Sequence, residues 1–160
     1  MAEKINSFYV SGTDNIRPDL FNEFAEKVAK GFSCVKNEEY FDKKTQAKKY
    51  KEVRNGVTST QIRRLFDEIK RYERLINDDD CSSWEKQYPY IKMIKSKVHY
   101  TVARSKKNGK REDAIYYDNL SQFISEGIDL IRSAKDYHIF VSLFEAVYGF
   151  YYENRPDVKN

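Results

Sequence analysis

Acid–base, metal and nucleophilic chemistry need histidines, cysteines and clustered carboxylates, and this chain has few of them in useful patterns. It has two histidines, His99 and His138, and neither lies in an HxxxH, HD or GxSxG pattern. No glycine-rich phosphate loop occurs. Cys34 and Cys81 stand alone rather than in CxxC pairs, so both read as ordinary packing or surface thiols, with neither a zinc site nor a disulfide. Asp78, Asp79 and Asp80 lack the spacing and the glycine of a calcium loop, which makes them a solvated turn. Glu126 with Asp129, and Glu145 with Glu153, have the chemistry of metal ligands, but isolated helix carboxylates usually pair with neighbouring cations. The inventory predicts no enzyme, no metal site and no cofactor.

Positive charge is the one chemical resource in surplus. The formal net charge is +4, yet residues 92–111 alone hold Lys92, Lys95, Lys97, Arg104, Lys106, Lys107, Lys110 and Arg111 with no acid among them. The rest of the chain is therefore net acidic. Charge concentrated in this way predicts a polyanionic partner. In the segment 58–76, by contrast, Asp67 with Arg71 and Arg64 with Glu68 stand four apart, which predicts a partly salt-bridged surface.

The elements that must carry these charges read as helices. With 40% hydrophobic and 15% aromatic residues the chain can bury a core. Three prolines and six glycines leave little turn chemistry for a sheet of many short strands. The expectation is an all-α fold, a single compact bundle of about six helices spanning 1–160, with residues 1–17 as an N-terminal extension. No run of about 18 apolar residues exists to span a membrane, and MAEKINSFYV lacks a signal peptide's apolar stretch, so a cytoplasmic protein is expected.

Individual helices follow from periodicity. The first starts at Pro18 and carries Leu20, Phe21, Phe24, Ala25, Val28 and Phe32 at helical spacing, with Gly31 near its end. A weaker, basic and exposed helix is predicted over 38–54, closed by Asn55-Gly56. Thr58 and Gln61 make a capping-box pattern before a stripe of Ile62, Leu65, Phe66, Ile69, Tyr72 and Ile76. After a link from Asn77 to Tyr88, a helix from Pro89 to Ser105 buries Ile91, Ile94, Val98 and Val102. It turns Met93, Lys97, Tyr100 and Arg104 to the opposite side. Two more helices follow, over about 113–133 and from a turn near Lys135-Asp136 to about Asn154. The last is apolar around most of its circumference, so it is either central to the fold or covered by another subunit.

Three segments resemble one known family. Val57-Thr58-Ser59-Thr60-Gln61-Ile62-Arg63-Arg64, KSKVHYTVARSK at 95–106 and FVSLFEAVYGFYYEN at 140–154 are similar, in this order, to the small subunit of type III-A CRISPR effector (Csm) complexes. The resemblance spans 57–154 and leaves 1–56 as a lineage-specific region. It implies an all-helical, non-catalytic protein present in several copies, with other Csm subunits and a guide RNA–target RNA duplex as partners. Cutting then belongs to a neighbouring subunit. Within the matched motifs it selects Arg63 and Arg104 for backbone contacts. Lys97 joins Arg104 by helical arithmetic, and Arg64, Lys70, Lys106, Lys107 and Lys110 are added on charge alone.

Three alternatives stay open at this point. One is a helix-turn-helix DNA regulator reading with helix 89–105, disfavoured by the long 77–88 link. Another is a protein–protein adaptor held by the tyrosine-rich last helix. The third is the small subunit of a Cmr-type complex, against which the TSTQIR segment counts.

Overall fold

A computed structural model describes residues 3–158. The order is a π-helical turn Leu20–Phe24 running into α1 (Ala25–Lys30), then β1 (Ser33–Asp42), β2 (Ala47–Gly56), α2 (Ser59–Leu75) and α3 (Cys81–Asn108). A 3-10 turn, Arg111–Asp113, leads into α4 (Ala114–Leu130), and α5 (Ala134–Glu153) closes the chain. The fold is mostly helical, but the all-α expectation and the count of about six helices are corrected: among the described residues there are five α-helices and, between α1 and α2, one antiparallel hairpin.

The hairpin stands where a weak helix was predicted. Tyr40, Phe41, Ala47 and Tyr50 never made a helical stripe, and the segment's aromatic and β-branched residues suit an extended backbone. The turn uses neither glycine nor proline. Asp42 Oδ1 accepts the Lys44 and Thr45 amides at 2.9 and 3.4 Å, and Gln46 takes a positive φ of 52°. Cross-strand charges add to the pairing, with Lys48 against Glu39 at 2.8 Å and Lys49 against Asp42 at 2.5 Å. At its base, Gly56 (φ 145°) presses so close to the chain that a Cβ there would lie 2.5 Å from the Phe32 carbonyl oxygen. The Gly56 amide donates to Asp113 at 2.8 Å.

α5 packs centrally, which accounts for most of its apolar circumference, while Phe150 and Tyr152 stay exposed. Tyr137, Phe140, Leu143, Phe144, Val147 and Tyr151 are fully buried. Two of these tyrosines also satisfy backbone carbonyls: Tyr137 donates to Ile69 O at 2.7 Å and Tyr151 to Val57 O at 2.5 Å. Burial raises the pKa of both. α4 packs closely against α5, because Gly127 leaves room for the Phe140 ring, which a Cβ would meet at 2.2 Å. The N-terminal segment contributes Ile5 and Phe8 to the same core.

α3 begins a full two turns earlier than predicted. Trp84 and Tyr88 continue the buried stripe upstream of Ile91, and the two rings lie 4.8 Å apart. Asp80 caps the helix by accepting the Ser82 amide at 3.0 Å. Pro89 sits inside the helix and cannot donate to the carbonyl one turn back. The link between α2 and α3 is only residues 76–80, so no long link stands against a helix-turn-helix. The last turn likewise falls at 131–133, with Lys135 and Asp136 already in α5.

Candidate nucleic-acid interface

Where α2 passes the C-terminal half of α3, the two helices bound a groove of about 650 Å³. Four of the eight predicted residues line it: Arg64 from α2, Lys97 and Arg104 from α3, and Lys110 from the turn that follows. Tyr100 lines it as well, between Lys97 and Arg104 in the sequence of α3. Arg63 and Lys107 are exposed outside the groove. Lys70 lies elsewhere, between Glu73 at 3.2 Å and Glu145 at 3.6 Å. Lys106 faces α4, where it meets Asp118 at 2.8 Å.

Segment 92–111 contains no acid of its own, but the fold supplies several. Lys95 meets Asp129 at 2.8 Å, Lys106 meets Asp118, and Lys97 is hydrogen-bonded to Glu68. That bond holds the Lys97 pKa above its usual value, against an opposing effect of burial. Lys92 donates to the Ile128 carbonyl at 3.0 Å. Among the described residues, Arg63, Arg64, Arg104, Lys107, Lys110 and Arg111 have no carboxylate at ion-pair distance.

The pairs predicted along α2 do not form. Glu68 turns to Lys97 instead of Arg64, and Arg71 stacks over the Tyr72 ring at 4.9 Å instead of reaching Asp67. Arg64 is left unpaired by this exchange. The groove's two carboxylates, Glu68 and Asp113, are both engaged, by Lys97 and by the Gly56 amide.

Sequence reasoning missed what Gln61 does. Thr58 caps α2 as predicted, accepting the Gln61 amide at 3.4 Å. The Gln61 side chain, however, does not reach back to complete a capping box. It accepts from the Thr58 hydroxyl at 2.8 Å and from Tyr117 on α4, and donates to Ser105 on α3 at 2.7 Å. One amide thus ties three helices together at the floor of the groove. Only the adjacency of helices, which no local pattern encodes, reveals this.

Three of the four carboxylates considered as metal ligands have other partners. Glu126 accepts the Ile5 amide at 2.9 Å, Asp129 pairs with Lys95 and Glu145 lies near Lys70. His138 is held between Glu73 at 3.3 Å and Asp78 at 3.1 Å. Among the described residues no group of three ligating side chains is placed to hold a metal, and no helix is long and apolar enough to cross a membrane.

The structure thus defines a mostly helical protein with an open groove between α2 and α3 lined by four cations. The chain is a member of the Csm2 Type III-A family, whose model matches residues 36–154. The family comprises non-catalytic small subunits of type III-A CRISPR complexes, so the chain is a subunit of such a complex and associates with other Csm subunits. The match takes in residues 36–56, correcting the expectation that everything before residue 57 is lineage-specific. No curated protein and no solved structure matches the chain.

Proposed function

We propose that this Csm subunit holds the guide–target RNA by its phosphate backbone, without reading sequence, along the α2–α3 groove. The observation that carries this reading is the uneven neutralisation of positive charge. Lysines facing α4 are paired, whereas Arg64, Arg104 and Lys110 in the groove, with Arg63 and Lys107 beside it, keep their charge for an outside anion. Arginine presents a planar fork that fits phosphate oxygens, and lysine a mobile point charge. Base reading is not required of such a subunit, since pairing to a guide supplies sequence specificity. Lys97 contributes less than a free lysine because Glu68 already holds it. Lys70 and Lys106 are the weakest members of the predicted set, for the same reason.

The test is charge reversal in the reconstituted complex. Arg64→Glu with Arg104→Glu lowers retention of target RNA, and each lost phosphate contact reduces the slope of log affinity against log salt by roughly 0.7 to 0.9. Lys70→Glu with Lys106→Glu leaves that slope unchanged. Equal effects from the two pairs, at unchanged circular dichroism, would sink the assignment of this groove. A panel of DNA duplexes competing without a preferred sequence separates this reading from a DNA regulator.

A further inference from the structure

Tyr100 is not used by phosphate contacts, yet it lines the groove between Lys97 and Arg104 in sequence. Along α3, Tyr90, Met93, Lys97, Tyr100, Arg104 and Lys107 recur at intervals of three and four, one line on the helix surface. Tyr100 is 68% exposed while lining the groove. Its hydroxyl has no hydrogen-bond partner among the described residues. Lys97 lies about 4.5 Å before it and Arg104 about 6 Å after it along the helix axis. Tyr90 differs, because its ring already stacks on Tyr72 at 6.5 Å.

We propose that Tyr100 is a stacking platform for an unpaired base of an RNA strand whose phosphates lie on Arg64 and Arg104. The groove then takes single-stranded or locally opened RNA in preference to an uninterrupted duplex. This rests on the reading that the groove binds RNA. The reason for the preference is access: a base inside a continuous duplex has neighbours on both faces, whereas an unstacked base offers a free face. Such stacking tolerates any sequence, because every base has a π face.

Exposed tyrosine and arginine also anchor protein interfaces. Here the ring is bracketed by cations, and both carboxylates lining the groove are already engaged. With Arg64, Lys97, Arg104 and Lys110 against Glu68 and Asp113, the lining stays net positive and favours an occupant that brings negative charge on either side of a flat apolar face. An RNA strand has this alternation in its repeat, and it is the occupant to which the charges commit.

The experiment uses the full chain at low salt with a single strand of roughly 12 nucleotides, within the site sizes of single-strand grooves, carrying one central 2-aminopurine. The same strand annealed to its complement is the comparison. The single strand is expected to bind more tightly, with its probe emission quenched. Tyr100→Phe keeps both properties. Tyr100→Ala restores emission and weakens single-strand binding by about five-fold or more, leaving duplex binding unchanged. Binding and quenching unaffected by Tyr100→Ala, but lost in Arg64→Glu with Arg104→Glu, would overturn the platform while sparing the phosphate reading. No effect from either variant, or no binding of the unaltered chain, overturns both. A tighter duplex complex overturns the preference. Loss of self-association by the RNA-free Tyr100→Ala chain in sedimentation, with RNA affinity intact, assigns the stripe to a second copy instead.

Discussion

His138 shows how one side chain can couple two parts of the fold. Its ring nitrogens face Glu73 on α2 and Asp78 in the α2–α3 link. Burial opposes charging of the ring, but the hydrogen bonds to Asp78 and Glu73 outweigh it and raise the pKa above the usual histidine value. A raised folded pKa means the charged ring stabilises the fold fully below the unfolded value of about 6.5. That contribution is lost as pH rises through the folded pKa. Thermal melts of the native chain should therefore fall more between pH 6 and pH 8 than those of His138→Gln, and a ring-proton NMR titration should give a midpoint above 6.5. Parallel melting curves for the two proteins would remove the clamp. Gly127 is a second residue-scale case. Alanine is the better helix former by about 1 kcal/mol, but overpacking a core costs typically 1–3 kcal/mol, and here the clash is with the buried Phe140 ring. Gly127→Ala is expected to lower Tm, a loss that Phe140→Leu partly restores in the double variant.

At the scale of elements, legibility followed the depth of burial. The stripe Ile91, Ile94, Val98 and Val102 gave α3 its buried face because packing selects those positions every three or four residues. Its first two turns are not in the expected helix, since Pro89 resembles a helix start and the true cap, Asp80, lies in an aspartate run that reads as a solvated turn. The hairpin was missed for a different reason. Its outer part is solvent-exposed on both faces, so no alternation of burial was imposed on the sequence, and lysine and glutamate suit either backbone. The same exposure predicts that it is dispensable for folding. Replacing residues 37–52 with a two-residue Asn-Gly turn joins the cross-strand partners Lys36 and Val53 directly. This variant should retain its helical circular dichroism and melt within a few degrees of the native chain. Gly56→Ala, by contrast, strains a positive φ and strikes the Phe32 carbonyl, so it should melt well below both. If the shortened chain failed to fold, the helices would depend on the hairpin in a way its burial does not suggest.

For the whole molecule, the sequence located the positive charge but not the charge that remains free after folding. Which lysines are neutralised depends on which helices are neighbours: Asp118 and Asp129 reach α3 only because α4 packs along it. The fold thus leaves Lys95 and Lys106 paired with α4 carboxylates and Arg104 and Lys110 unpaired in the groove, where Lys97 is held by Glu68. The α4-paired and unpaired cations should differ in opposite directions when reversed. Lys95→Glu with Lys106→Glu sets two glutamates against Asp129 and Asp118. Exposed pairs of this kind contribute about 0–1 kcal/mol each, and like charges in their place cost a similar amount, so Tm should fall by a few degrees and recover in high salt. Arg64→Glu with Arg104→Glu removes no ion pair and relieves repulsion among neighbouring cations. Its Tm at low salt should equal or exceed that of the native chain, even though the net charge changes by the same amount. Net charge alone would move the two double variants together. A difference of sign at low salt that vanishes at about 1 M salt, where the Debye length is only about 3 Å, is the signature of charges sorted by the packing of α4 on α3.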